Sequence, residues 1–340
     1  MKAALLDGNG NLSIAEVPDP SDSDSVLVRV KAAGVCGTDL HFLDRLLKPD
    51  AYPFILGHEI SGIVERAPSG LQGVRKGERV AVYNMIGCGD CRYCSTGLVN
   101  LCDRPRQIGF NVNGGFAEFV AVPPRSLVSL PDDVPFETAA ALACSGMAAV
   151  HAVRSAGVGL RSVAIVNGIG GVGLMVTQIA RLAGADVIAV GDSDAKLALA
   201  KEFGATATLR AADAKEYETL PNRVQALTAG AGADYFFELV GTTATMAAGL
   251  RSLGKRGTFV SIGYSGDDLV VNPVDLLIKE QRIVTCVAAT KQDLADAVGL
   301  AGAGKLRAAI QNRIPLDELR EALRGLRERR VLGRNVVTFA

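Results

Sequence analysis

Four of the seven cysteines stand in one short stretch, CGDCRYCSTGLVNLC from Cys88 to Cys102, at the spacing C-x2-C-x2-C-x7-C. Four thiolates in one loop can enclose a tetrahedral Zn²⁺ at about 2.3 Å per bond, and with every position filled by protein none remains for a substrate. A Cys₄ iron–sulfur cluster is the alternative, although no second cluster motif accompanies this one. A catalytic zinc needs instead three protein ligands and one vacancy. The residues for it lie elsewhere: GVCGTDLH carries Cys36, Thr38, Asp39 and His41, GHE carries His58 and Glu59, and ALACSGM carries Cys144. A third group, Gly168, Gly170 and Gly173 in VAIVNGIGGVG, forms G-x-G-x-x-G behind an apolar strand and at the opening of a helix. There the first glycine permits the tight turn, the second admits a pyrophosphate to the backbone, and the third lets helix and strand pack closely.

The elements that must position these residues change character along the chain. From Met1 to about Pro131, segments such as VLVRVKAAG, GHEISGIVERA, GERVAVYN and FAEFVAVP read as short strands bounded by turn residues. After Phe136 the pattern becomes helical, and then strands (SVAIVNG, DVIAVGD, YFFELVG, GTFVSIG) alternate with helices (GVGLMVTQIARLAGA, AKLALAKEFGA, TMAAGLRSL). That alternation predicts parallel βαβ units in a doubly wound sheet. From about Lys291 the chain reads as helices closing on a strand-like RNVVTFA.

Composition excludes several function classes. Basic and acidic residues balance at 36 each, with no basic cluster interleaved with aromatics, so neither nucleic acid nor an anionic membrane is expected as a partner. The start, MKAALLDGNGNL, has no apolar core of signal-peptide length, and the richest apolar run, AAALACSGMAAV, falls short of the roughly 18 residues a membrane span requires. A cytoplasmic protein with reduced thiols is therefore the expectation. A chain of 340 residues, 49% of them apolar, predicts two domains and a large core.

Taken together, GVCGTDLH, GHEISGIV, the four-cysteine loop, LACSGMAAVHAV, GIGGVGLMVTQIARLAGADVIAV and GRNVVTF stand in the order of a known family. Over essentially its whole length the sequence resembles the zinc-containing medium-chain alcohol dehydrogenases. The resemblance implies a GroES-like β-rich catalytic domain at 1–145 and 289–340, with a structural zinc lobe at 88–102, and a Rossmann dinucleotide-binding domain at 146–288. It implies that Cys36, His58 and Cys144 ligate a catalytic zinc, with Glu59 close enough to enter the coordination shell during exchange. Asp39 would accept a hydrogen bond from His58 and set its tautomer. Cys88, Cys91, Cys94 and Cys102 match the structural zinc, giving two zinc ions per chain.

By the same resemblance the alcohol proton passes from Thr38 through the nicotinamide ribose to His41, a residue type that exchanges protons near neutrality. Gly168, Gly170, Gly171, Val172 and Gly173 match the pyrophosphate turn, Lys196 a position near the adenosine ribose, Ile262 a backbone contact to the nicotinamide, and Arg334 a cation that reaches the pyrophosphate. Thr38, Tyr83, Asn84 and Met85 would border the substrate pocket. The expected reaction is reversible hydride transfer between a primary or secondary alcohol, with its aldehyde or ketone, and NAD or NADP. Reduction of an activated carbon–carbon double bond is the alternative. A homo-oligomer is expected, a tetramer before a dimer.

Three positions depart from the family pattern: Gly37 replaces an arginine found in some relatives, Ala148 a threonine found in many, and Gly191 the acidic residue that ends the second Rossmann strand, with Asp192 one position late. A carboxylate about 20 residues past the glycine turn binds the ribose hydroxyls and repels a 2′-phosphate. Asp192 and Asp194, with no arginine in the loop, therefore point to NAD over NADP, with Asp192 turned toward the ribose.

Overall fold

Short strands with alternating or continuous burial build the first part of the chain. A computed structural model describes residues 1–340, whose backbone contacts gather into two units: Met1–Met147 with Ala289–Ala340, and Ala148–Ala288. In the first unit the strands are β1 (Lys2–Leu6), β2 (Leu12–Glu16), β3 (Val26–Gly34), β4 (Phe54–Ile55), β5 (Glu59–Arg66), β6 (Arg79–Val82), β7 (Met85–Ile86), β8 (Arg106–Gln107), β9 (Phe119–Val122) and β10 (Leu127–Ser129). Strands β2-β1-β4 form one antiparallel sheet, and β10-β6-β5-β3 run antiparallel in another, where β9 also pairs with β3. Val28, Val30, Ile60, Val64, Val80 and Val82 turn inward from these strands to pack with Phe42 and Phe116, each at most 2% exposed. Burial of such side chains contributes roughly 1.5–3 kcal/mol apiece before the ordering cost.

The second unit holds β11 (Val163–Asn167), β12 (Asp186–Gly191), β13 (Ala207–Arg210), β14 (Ala233–Glu238), β15 (Leu253–Ser261) and β16 (Arg282–Thr285). All pair in parallel, in the spatial order β13-β12-β11-β14-β15-β16. This is the doubly wound arrangement, and its order reverses between β11 and β14, where such sheets open a crevice at their carboxyl ends. Phe236 of β14 and Phe259 of β15 stack with ring centroids 5.8 Å apart in the core.

The chain then returns to the first unit, where β17 (Ile310–Ile314) pairs in parallel with β18 (Arg334–Thr338), and β18 runs antiparallel to β3 through Val336↔Gly34. That pairing places the carboxy-terminal strand beside the residues that lead into Cys36. The helix that begins at Phe136 continues to Ala156, and its Leu142–Gly146 segment widens to a π turn. It is the one helix long and apolar enough to cross a membrane, but two thirds of its most apolar stretch (67%) is buried, as in a core helix. The division between the units falls inside it, between Met147 and Ala148.

Among the elements not evident in the sequence pattern are the helices Ala214–Leu227 and Pro273–Lys279 and the strands β13, β16 and β17. Pro221 interrupts the first of these in mid-course, which disfavours a helix locally. The Asp213 carboxylate caps its amino end by accepting from the Glu216 amide at 2.9 Å, and Tyr217, Leu220 and Val224 bury one face.

Candidate metal centres and dinucleotide turn

Cys36 ends the path of β3 and caps the helix Gly37–Leu43. The Asp39 carboxylate folds back on the cap and accepts from the Cys36 amide at 2.8 Å. Its other oxygen faces Nδ1 of His58 at 3.6 Å, too long for a hydrogen bond. His58 and Asp39 thus face each other beyond hydrogen-bond length, which leaves Nε2 as the ring nitrogen to offer a metal. His58 precedes β5, Glu59 opens it, and Cys144 comes from the π turn, a distortion that often marks functional positions. One ligand atom from each of Cys36, His58, Glu59 and Cys144 lies within 4.8 Å of all the others.

The electrostatics of this group fit a cation. His58 and Glu59 are 2% and 0% exposed, and neither Nδ1 of His58 nor either Glu59 oxygen has a hydrogen-bond partner. The Cys144 thiol and the His58 ring hold Cys36 well below its usual range, while Cys36 itself and burial push Cys144 up. Burial pushes the Glu59 carboxyl up to about 8, against the opposing pull of Arg334. A divalent ion would favour the ionised form of every one of these donors. Two thiolates, a neutral imidazole and one open position match the donor set of a catalytic zinc.

Gly34 makes room for this arrangement, because a Cβ there would meet Glu59 Oε2 at 2.0 Å. Arg334 takes a place that the sequence pattern did not reveal. It is 6% exposed, its Nη1 donates to the Val35 carbonyl at 3.1 Å, and its Nη2 lies 3.3 Å from Glu59 Oε1. Its guanidinium thus faces the Glu59 carboxyl in the interior, with Nε and Nη2 making no hydrogen bond. Thr38 Oγ1 lies 3.7 Å from Cys36 Sγ, and His41 follows one turn later on the same helix. The Tyr83 hydroxyl is committed to the Ala289 carbonyl at 2.7 Å, and Asn84 is buried.

Cys88, Cys91, Cys94 and Cys102 converge in a second group, also with all four sulfurs within 4.8 Å of one another. Cys88 and Cys94 are 3.9 Å apart and Cys91 and Cys102 4.0 Å, and none forms a disulfide. Sulfurs bound at about 2.3 Å to one tetrahedral ion would stand about 3.8 Å apart. Several irons would hold them further apart, so the spacing fits a single ion. Backbone amides supply the surrounding donors: Cys88 and Arg104 to Cys102 Sγ, and Cys94 to Cys91 Sγ, at 3.3–3.5 Å. The amides of Asp103 and Cys94 hold the Cys91 thiol down to about 6.

In the second unit the glycine turn lies between β11 and the helix Gly171–Leu182. Gly168 has φ +104°, a region open to glycine, and its amide donates to the Val190 carbonyl at 3.0 Å. A Cβ on Gly173 would meet the Gly168 carbonyl at 2.0 Å, whereas one on Gly170 would meet nothing within 4 Å. The packed and the open glycine are the two kinds of position a pyrophosphate turn requires. Gly171 and Val172 form the first turn of the helix, whose unpaired amides face an incoming anion. Gly191 ends β12, and Asp192 beyond it pairs with Lys196 at 2.9 Å. The Ile262 amide donates to the Glu238 carbonyl at 3.0 Å, so its carbonyl is the backbone group left for a ligand.

Comparison with known proteins establishes the family. Residues 22–132 match the alcohol dehydrogenase GroES-like domain family, and residues 171–302 match the zinc-binding dehydrogenase family. An NAD-dependent alcohol dehydrogenase of Sulfurisphaera tokodaii is 32% identical over 96% of each chain. The NADP-dependent D-arabinose 1-dehydrogenase of Saccharolobus solfataricus is 35% identical over 99% of this chain and 97% of its own. The crystal structure of an alcohol dehydrogenase from Aeropyrum pernix superposes with a TM-score of 0.91 at 31% identity, covering 100% of both chains. The chain belongs to the zinc-containing medium-chain alcohol dehydrogenases, with a GroES-like first unit and a Rossmann second unit.

Replacing Cys144 by alanine is expected to remove one equivalent of bound zinc while the far-ultraviolet circular dichroism spectrum is kept. Replacing Cys91 is expected instead to lower the melting temperature by 10 °C or more (order of magnitude) or to cause aggregation, since a closed site contributes folding energy. Elemental analysis with thermal melts checks both. Full zinc content in Cys144→Ala, or unchanged melting in Cys91→Ala, would overturn the division of roles.

Proposed function

We propose that this chain is a zinc-dependent alcohol dehydrogenase that moves hydride reversibly between a primary or secondary alcohol and NAD, with two zinc ions per chain. The observation that carries this reading is the buried convergence of Cys36, His58 and Cys144 with Glu59 beside them. When bound, zinc there would act as a Lewis acid on the substrate oxygen, and the nicotinamide would take up or return the hydride.

The chain's own residues supply placement, charge balance and proton movement. Cys36, His58 and Cys144 hold the metal, and the Asp39 carboxylate faces the far nitrogen of His58 and keeps the ring oriented. Arg334 balances Glu59, so that the carboxylate can approach the metal without leaving an uncompensated negative charge in the interior. Thr38 carries a hydroxyl that both accepts and donates, so it can take the substrate proton while passing on its own. His41, one helical turn away, is the group that exchanges this proton with solvent. Cys88, Cys91, Cys94 and Cys102 hold the second zinc and only stabilise the fold.

NAD is the proposed dinucleotide, with Asp192 at the adenosine ribose. The Asp192–Lys196 pair supports a carboxylate held in place, but it also keeps one cation nearby. Asp192→Ala releases that cation for a 2′-phosphate. The ratio of kcat/KM for NADP to that for NAD is expected to rise tenfold or more in this variant, measured with an alcohol panel assayed beside enones. Preference for NADP in the unaltered enzyme, or an unchanged ratio in the variant, contradicts the role of Asp192, and turnover of enones alone contradicts the alcohol assignment.

The protein is further proposed to act in the cytoplasm as a homo-oligomer, a tetramer before a dimer. Cysteines kept as thiolate ligands and not paired as disulfides suit the reducing surroundings of the cytoplasm. At the β16 edge of the Rossmann sheet, Val274, Leu277, Ile278 and Val287 are each more than half exposed, an apolar patch that a second copy would cover. The double variant Leu277→Asp/Ile278→Asp is expected to sediment as a smaller species than the unaltered protein. An unaltered protein that sediments as a monomer would refute the proposal.

A further inference from the structure

Beneath the dinucleotide turn lies a buried polar chain that none of the metal or turn residues explains. Tyr217, on the helix Ala214–Leu227, donates its hydroxyl to Asn167 Oδ1 at 2.8 Å. The Asn167 amide donates through Nδ2 to Glu238 Oε2 at 3.0 Å. The second carboxylate oxygen, Oε1, accepts from the backbone amides of Val240 and Gly241 at 2.7 and 2.8 Å. Asn167 and Glu238 are fully buried and Tyr217 is 8% exposed.

The placement of this chain in the sheet gives it its meaning. Asn167 is the last residue of β11, immediately before Gly168, and Glu238 is the last residue of β14. These two strands flank the switch point where the sheet order reverses. Backbone contacts extend the connection: the Leu239 amide donates to the Asn167 carbonyl, and the amides of Ile262 and Gly263 both donate to the Glu238 carbonyl. The three loops also lie too close for side chains to intervene. A Cβ on Gly263 would meet the Leu239 carbonyl carbon at 2.3 Å, and one on Gly168 would meet Val240 at 3.1 Å. The Glu238 carboxylate therefore ties the loop after β14 to the end of β11, while its backbone carbonyl holds the loop after β15.

A buried carboxylate is costly unless its bonds are made, and burial pushes the Glu238 carboxyl up in spite of the amides that oppose it. A helix cap or an apolar residue would close the loop after β14 at less cost. We propose that Asn167 and Glu238 are positioning residues that hold the glycine turn and the Val240–Gly241 loop in one rigid floor for the dinucleotide, with the Glu238 carboxyl setting the direction of the Asn167 amide and Tyr217 satisfying its oxygen. The inference rests on the proposed binding of NAD at this turn. Asn167 and Glu238 are fully buried beneath the turn, so they act on a dinucleotide through the backbone they hold.

The polarity of the chain supplies its test. In Glu238→Gln the new amide, if its oxygen keeps the two backbone bonds, faces the Asn167 amide donor to donor, and Asn167 must turn over with the Tyr217 hydroxyl reversing to accept. In Asn167→Asp two carboxylates face each other across the same 3.0 Å and must share a proton. In the double variant Asn167→Asp/Glu238→Gln every donor again meets an acceptor: the aspartate accepts from Tyr217 and from the glutamine amide, and the glutamine oxygen accepts from Val240 and Gly241. Ser252→Ala, which removes the buried bond from the Ser252 hydroxyl to the Ala248 carbonyl in the same unit, is the control for lost stability without lost positioning.

The experiment measures Kd for NAD⁺ and NADP⁺ by calorimetry, hydrogen exchange of the 239–242 and 261–264 amides, and the melting temperature of each purified, zinc-loaded variant. Each single variant is expected to weaken dinucleotide binding about tenfold and to speed exchange of the 239–242 amides more than of the 261–264 amides, the double variant to recover most of both effects, and Ser252→Ala to melt lower with Kd unchanged. Kd unchanged in both single variants, or no recovery in the double variant, overturns the clamp. Where a single variant does not fold, the double variant and Tyr217→Phe decide: weak binding by the double variant, or Kd and loop exchange both unchanged in Tyr217→Phe, overturns it. Failure of the unaltered protein to bind either dinucleotide overturns instead the reading of the turn on which the clamp rests.

Discussion

Burying ionisable side chains together is the constraint on which the first unit is built. Two thiols, an imidazole and a carboxyl lie within 4.8 Å of one another in an almost dry interior. Isolated charges in such a place cost many kcal/mol, and groups of this kind persist only where they are paired or bind a metal. The surrounding sequence is arranged accordingly. Asp39 gives one oxygen to the Cys36 amide and turns the other to His58, Gly34 yields the volume that the Glu59 carboxylate fills, and Arg334 enters from the carboxy-terminal strand as its counter-charge. The return of the chain after the Rossmann unit thus has a chemical consequence, since β18 must lie beside β3 for Arg334 to reach Glu59.

The Rossmann unit meets a different demand, which is to present backbone amides to an anion without letting the loops collapse. Glycines at the crossings allow the loops to touch, and contact alone would leave them free to slide. The bonds from Glu238 to two loop amides and to Asn167 supply direction. A typical intramolecular hydrogen bond contributes about 0.5–1.5 kcal/mol net, so the three together favour one loop arrangement over its neighbours. The two sites therefore solve related problems by different means: a cation suits the first, and a buried carboxyl organises the second.

Much of this was legible in the sequence because the chemistry depends on residue type and local spacing. The four-cysteine loop, the glycine turn with its strand and helix, and the ligand segments around Cys36, His58 and Cys144 could all be read as motifs, and the alternation after Phe136 announced the parallel sheet. What stayed hidden depends on distant partners. Arg334 stands in an arginine-rich tail, and nothing local distinguishes a buried partner of Glu59 from a solvated charge. Asn167 reads as one polar residue at the end of an apolar strand, and its meaning comes from Tyr217 and Glu238, 50 and 71 residues away. Local signals also misled at Pro221, where tertiary burial of Tyr217, Leu220 and Val224 outweighs a helix-breaking residue. The π turn that carries Cys144 leaves no mark in the periodicity of its helix.

The central claim is that two metal sites in one chain divide chemistry from stability. The most direct measurement is a zinc titration of chelator-treated protein that follows NADH formation from an alcohol and the melting temperature in the same samples. The account predicts that the two signals separate: one equivalent of zinc per chain restores the melting temperature, and a second equivalent restores turnover. Turnover in protein free of zinc, or a single equivalent that restores both signals together, would contradict it.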